Sequence, residues 1–175
     1  LPKVLLPVVS NIFTSDTIFE IEQLPGSVAV IGLGVIALEL GQSLHRLGVD
    51  TTLYGRSGRV GGLTHPDLQA ETLSCLSNEL AIYPEGEIIE TWEEEGSAVI
   101  KYQQVDGTIV TKAFDAVLVA AGRVSNVDGL DLHKTDIQLD AKGIPMFNSH
   151  TMQCGNLPIY VSGDATNDLP LWHEA

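Results

Sequence analysis

The sequence predicts an α/β fold: a doubly wound parallel sheet in which an antiparallel β-meander replaces one crossover helix. Three observations predict it. Short apolar runs bounded by glycine at 28–31 and 116–120 read as buried parallel strands. A stretch of helical period separates the first of these runs from a second strand at 51–54. Residues 97–114 hold two alternating segments joined by Asp106-Gly107, a dipeptide that hairpin turns favour.

Each element follows in order. Residues 1–24 carry no sustained period and read as a linker, in which Thr14-Ser15-Asp16 ahead of Ile18, Phe19 and Ile21 forms a single capped turn. Leu24-Pro25-Gly26-Ser27 is turn chemistry, and a domain spans 25–145. Val28-Ala29-Val30-Ile31 is its first strand. Ile36, Leu40, Leu44 and Leu47 lie on one face of a helix over 34–47, which Gly48 ends. Pro66 opens a second helix whose period-four stripe is Leu68, Thr72, Leu76 and Leu80. Strands follow at 97–103 and 108–114. The six glutamates of 85–95 read as a solvated strand or hairpin edge kept from aggregating by its charge. Ile159-Tyr160-Val161-Ser162 reads as one more strand, in a return segment over 146–175.

Composition excludes several functions. Nine Lys and Arg against 23 Asp and Glu leave a net charge of -14 over 175 residues, so nucleic acid is no partner. An apolar content of 44% supports a packed core. No apolar run reaches the roughly 18 residues of a membrane span, so a membrane is no partner either. Two cysteines, Cys75 and Cys154, fit a reducing, cytoplasmic compartment. Cys75 is expected on a helix as a small core or half-buried residue and Cys154 as a loop thiol. A start at Leu1 rather than Met points to a piece of a longer protein.

The chemistry sits in Gly32-Leu33-Gly34-Val35-Ile36-Ala37, a G-x-G-x-x-A pattern that follows a strand and opens a helix. Gly32 makes the tight turn, Gly34 lets a pyrophosphate approach bare backbone, and Ala37 lets helix and strand pack closely. Val35 and Ile36 complete the loop. The helix start offers unpaired N–H donors and partial positive charge to an anion. The pattern predicts a dinucleotide. A reader of the 2′-hydroxyl places an acid at the end of the second strand. Here Tyr54-Gly55-Arg56 stands there, and no acid occurs before Asp67. Arg56 and Arg59, in a flexible glycine-rich loop, instead match a 2′-phosphate. NADP is therefore slightly favoured over NAD. Glu39, in the first turns of the helix, either complements the dipole or faces the reactive end of the cofactor.

These segments resemble the pyridine nucleotide–disulfide oxidoreductases, the group of dihydrolipoamide dehydrogenase, glutathione reductase and soluble transhydrogenase. The resemblance rests on 14–25, on the fingerprint through Glu39, on Ala120-Ala121-Gly122-Arg123-Val124-Ser125-Asn126, and on Ile159 through Ala165. It implies a Rossmann-like NAD(P) domain of the FAD/NAD(P)-binding type, with the meander as a family insertion. It implies that Gly32, Gly34 and Ala37 cradle the pyrophosphate of NAD(P)H and that Glu39 lies near the nicotinamide. Gly122 then borders the adenine side, Arg56 takes the 2′-phosphate, and Asp164 contacts FAD in the intact enzyme only. The flanks become an FAD-domain edge (1–24) and a return toward that domain (146–175). The resemblance also implies an FAD domain and an interface domain in a homodimeric parent. Val35 stands where some relatives carry a tyrosine lid.

No second G-x-G-x-x-G and no C-x-x-x-x-C occur, and the two cysteines are 79 residues apart. The five histidines lack metal spacing. The expectation is therefore an NAD(P)-binding domain of a dihydrolipoamide dehydrogenase-like flavoenzyme, without catalysis on its own. The alternatives are another disulfide reductase, a transhydrogenase, or a stand-alone NAD(H)-sensing module.

Overall fold

The computed structural model describes residues 1–123 and 125–166, the side chain of Asp164 excepted. Val124 and His173 lie outside the described residues. The chain divides into two compact units, Leu1–Gly122 and the segment from Arg123 onward.

The first unit runs β1 (Ile12–Thr14), β2 (Ser27–Ile31), α1 (Val35–Arg46), β3 (Asp50–Tyr54), α2 (Pro66–Ser77) and β4 (Ala81–Tyr83). Then come β5 (Gly86–Glu94), β6 (Ser97–Gln104), β7 (Ile109–Phe114) and β8 (Ala116–Val119). A five-stranded sheet of order β1-β8-β2-β3-β4 pairs in parallel throughout, and β5-β6-β7 form a separate antiparallel sheet. The mixed α/β architecture expected from the sequence is therefore the observed one. The chain leaves β2 through α1 to β3 and β4 on one side. It then returns through the meander to β8 on the other side of β2. That reversal of direction lies between β2 and β8, where such sheets open a crevice at their carboxyl ends.

Strand alternation divides the core in two. Val28, Val30, Leu53 and Leu118 face Ala37 and Leu44 of α1. Ala29, Ile31, Tyr54 and Val117 face the meander's Ala98, Ile100, Tyr102 and Phe114, together with Leu5 and Val8 of the N-terminal 3-10 segment. Each fully buried Leu or Val contributes roughly 1.5–3 kcal/mol, so both faces of the sheet are held. β5–β6 turn through Glu95 and Gly96, both at positive φ, as a two-residue hairpin requires. β5, which carries four of those six glutamates, is an edge strand of its sheet. Lys112 Nζ reaches Asp50 Oδ2 at 2.9 Å, tying β7 to β3.

Several sequence expectations are corrected. Ile12–Thr14, read as linker, is the edge strand β1 on β8, and β4 was not foreseen. Three residues are too few to show a period. In α2, Leu68 is 56% exposed, because Leu73 and Leu76 form the packed stripe. The strand expected at 159–162 is an isolated bridge, Gln153↔Tyr160, since no longer strand among the described residues pairs with it. Cys75, expected in the core or half-buried, is exposed on α2, and the loop thiol Cys154 is buried. Among its described residues the second unit otherwise holds three short 3-10 segments, a second bridge, Leu139↔Pro145, and turns, with Asp140 Oδ1 accepting from the N–H groups of Lys142 and Ile144.

Candidate functional site

Three loops meet at the carboxyl ends of the adjacent strands β8, β2 and β3. The fingerprint loop leaves β2 at Gly32, whose N–H donates to the Tyr54 carbonyl at 2.9 Å. Gly32 has φ +119°, and a Cβ there would lie 2.5 Å from the Ala120 carbonyl oxygen. Only glycine fits this turn.

Gly34 is different. Its φ of -71° suits any residue, and a Cβ there would meet nothing within 4 Å. It is the N-cap of α1, with no side-chain hydrogen bond capping the helix. Helical bonding starts with Leu38 N–H donating to the Gly34 carbonyl at 3.0 Å, so the N–H groups of Val35, Ile36 and Ala37 have no partner within the helix. Val35 is 53% exposed and Ile36 half-buried beside this opening, whereas Ala37 is fully buried against the sheet. One turn on, a Cβ at Gly41 would lie 3.2 Å from Leu53, so helix and sheet approach closely. A turn bare of side chains, facing an uncapped helix start, is chemically suited to a phosphate anion.

Arg56 and Arg59 are exposed on the loop after β3 and form no ion pair among the described residues. The loop is pinned rather than flexible. Gly55 N–H donates to the Tyr83 carbonyl (2.8 Å), Gly58 N–H to that of Pro84 (3.0 Å) and Gly61 N–H to that of Leu33 (2.7 Å). The last bond joins the arginine loop to the fingerprint. The structure also brings a carboxylate here: a Cβ at Gly58 would lie 3.3 Å from Glu85 Oε2. Gly122, exposed at φ +124°, follows β8 on the fingerprint's other flank. Glu39 is exposed on α1. Asp164 belongs to the short 3-10 turn Gly163–Thr166 of the other unit. The structure thus gathers Gly32, Gly34, Val35, Ile36, Ala37, Arg56, Arg59 and Gly122 at one sheet edge.

Sequence reading placed Gly55 in the arginine loop but missed that it holds this edge together with Pro84 and Tyr102. Tyr102 Oη donates to the Gly55 carbonyl at 2.8 Å, across 47 residues of sequence. The only signal was an aromatic residue on the inward face of an alternating strand, next to Ile100.

The family model described as "Pyridine nucleotide-disulphide oxidoreductase" matches residues 6–175. A mercuric reductase of Staphylococcus aureus is 33% identical over 153 residues, which are 87% of this chain and 28% of that enzyme. A dihydrolipoyl dehydrogenase of Bacillus subtilis (strain 168) is 28% identical over 167 residues, 94% of this chain and 35% of that enzyme. The chain therefore spans about a third of the length of these relatives or less. In structure it is similar to the HOCl-induced flavoprotein disulfide reductase RclA from Escherichia coli, solved as a Cu(II) complex. The TM-score is 0.84 at 18% identity, over 99% of this chain and 39% of that one. The chain belongs to the pyridine nucleotide–disulfide oxidoreductases, a family of flavin-dependent enzymes that use FAD and a pyridine nucleotide.

Proposed function

We propose that this chain is the NAD(P)-binding part of a dihydrolipoamide dehydrogenase-like flavoenzyme and that it favours NADP. Hydride exchange between a nicotinamide and a flavin is the chemistry those cofactors supply when bound. This chain's own residues do the holding. Gly34 leaves backbone bare for the pyrophosphate, and the N–H groups at the start of α1 donate to it. Gly32 and Ala37 keep the turn and helix close enough to the sheet for that approach. Arg56 and Arg59 pair with the 2′-phosphate, Gly122 borders the adenine side, and Glu39 stands toward the nicotinamide. Asp164 is assigned to FAD in the intact, homodimeric enzyme. The chain alone binds nucleotide without turnover.

One observation carries this reading: Gly34 is a glycine that the backbone does not need, at φ -71° with open space where its Cβ would project. A ligand explains it. The 33% identity to a mercuric reductase supports a second reading, in which the same nucleotide site serves another electron acceptor.

Side-by-side titration with NADPH and NADH tests the proposal. NADPH is expected to bind at least about tenfold more tightly, since charged hydrogen bonds contribute roughly 1.5–3 kcal/mol each. Arg56→Glu is expected to weaken NADPH by about 10- to 100-fold and to leave NADH almost unchanged. Equal affinities sink the NADP assignment. Failure to bind either nucleotide sinks the whole reading.

A further inference from the structure

We infer that Tyr102, on the central strand of the meander, is a positioning residue for the arginine loop: its hydroxyl fixes the Gly55 carbonyl and thereby sets where Arg56 and Arg59 stand. The inference rests on the proposal that this loop meets the 2′-phosphate.

Gly55 separates the last residue of β3 from Arg56. Both its polar groups are committed, the N–H to the Tyr83 carbonyl at 2.8 Å and the carbonyl to Tyr102 Oη at 2.8 Å, the shorter of two contacts of that hydroxyl, the Tyr83 carbonyl lying 3.3 Å from it. A Cβ on Gly55 would strike the Pro84 carbonyl and lie 2.5 Å from Leu33 Cδ1, so the chain has no room to slide sideways. Rotation is the freedom that remains, because glycine has little torsional preference. The hydrogen bond from Tyr102 opposes it. Were the peptide between Gly55 and Arg56 to turn, Arg56 would turn with it.

The phenol is built to stay in place. Tyr102 is 1% exposed, and its ring packs at 5.0 Å from Tyr54 and 5.8 Å from Tyr83. Gly86 makes way for it, since a Cβ there would lie 2.7 Å from Tyr102 Cζ. Burial, and then the nearby charge of Glu85, push the phenol up to about 12, so it remains a donor at any working pH. The same cluster contains an internal control. Tyr54 is 2% exposed, but its hydroxyl has no hydrogen-bond partner. Of these two buried phenols, only Tyr102 holds the loop.

The test compares 2′,5′-ADP with 5′-AMP, probes that differ in the 2′-phosphate alone, by calorimetric titration of the protein and of Tyr102→Phe and Tyr54→Phe. Tyr102→Phe is expected to weaken 2′,5′-ADP by about five- to tenfold and to leave 5′-AMP nearly unchanged. Tyr54→Phe is expected to alter neither. Hydrogen exchange in Tyr102→Phe should quicken at residues 55–61 and not in α1. An unchanged preference in Tyr102→Phe, or unchanged exchange at 55–61, overturns the inference. Equal weakening of both probes, or the same loss in Tyr54→Phe, marks a merely structural role and overturns it as well. If the unsubstituted protein does not distinguish the probes, the underlying NADP reading fails and carries the inference with it.

Discussion

Gly32 and Gly34 stand two residues apart in one turn, and the backbone asks different things of them. At Gly32, φ is +119° and a Cβ would press on the Ala120 carbonyl oxygen at 2.5 Å. Gly32→Ala must therefore move β8, α1 or both. The expected cost is roughly 1–3 kcal/mol for the backbone conformation alone, with nucleotide binding lost as well. At Gly34, φ is -71° and a Cβ meets nothing within 4 Å. Gly34→Ala should cost no more than about 1 kcal/mol, the price of a poorer N-cap, yet weaken NADPH by at least about tenfold if pyrophosphate rests there. Thermal melting and nucleotide titration of the two variants separate the roles. A Gly34→Ala protein that binds NADPH as tightly as its parent leaves the turn without a ligand.

Between the parallel sheet and the meander lies an aromatic layer that explains much of how these elements pack. Tyr54 of β3 stacks on Tyr83 of β4 at 5.4 Å and meets Phe114 of β7 edge-on at 6.1 Å. Its hydroxyl is enclosed without a hydrogen bond, and burial raises its pKa above the usual phenol value, with Tyr83, Tyr102 and Asp50 adding to the shift. An unsatisfied buried hydroxyl costs about 1–3 kcal/mol. Tyr54→Phe is therefore expected to raise the melting temperature, by roughly 2–4 °C for each kcal/mol regained in a chain of this size. A lower melting temperature would reveal a partner for the hydroxyl. This layer was not legible in the sequence, since its members sit at positions 54, 83, 102 and 114 and meet only through topology. What was legible is what local physics dictates. A β-branched run, a one-faced helical stripe and Gly48 at φ +93° mark β2 and α1 nearly to the residue, and Asp106-Gly107 marks the β6–β7 hairpin. β1 and β4 were hidden, because three residues carry no period. The apolar 159–162 run misled, because an apolar segment becomes a strand only beside another strand. The site divides the same way. Gly32, Gly34 and Ala37 fall within six consecutive residues and are readable, while the bonds that pin Gly55, Gly58 and Gly61 join distant loops.

Charge acts on the molecule as a whole, and two of its effects oppose each other. A net charge of -14 makes the folded chain repel itself near neutrality, and acid should relieve that repulsion toward the pI of about 4.5. Against this, several carboxylates are held below their ordinary range by partners that exist only in the fold. Arg46 and Gln42 hydrogen-bond Glu79, the N–H of Thr108 bonds Asp106, and those of Ile144 and Lys142 bond Asp140. A carboxyl with a depressed folded pKa contributes stability above its unfolded value, about 4. That stability drains away as pH falls through the lower folded value. The two effects thus occupy different windows. Above about pH 6 the anchored groups are almost wholly ionised in both states, so repulsion is the adjustable quantity. Salt, which shortens the Debye length to about 10 Å at 0.1 M, should then raise the melting temperature. Below about pH 4.5 the anchored carboxylates titrate, and the melting temperature should fall with each further drop in pH. Glu79→Gln should flatten part of that acid slope and leave the salt response at pH 7.5 intact, because it removes an anchored group and only one charge among many. Melting curves across pH 3–8 at low and high salt decide the matter. Below the pI the net charge turns positive and repulsion returns, so a melting temperature that climbs from pH 4.5 to 3 would overturn this account.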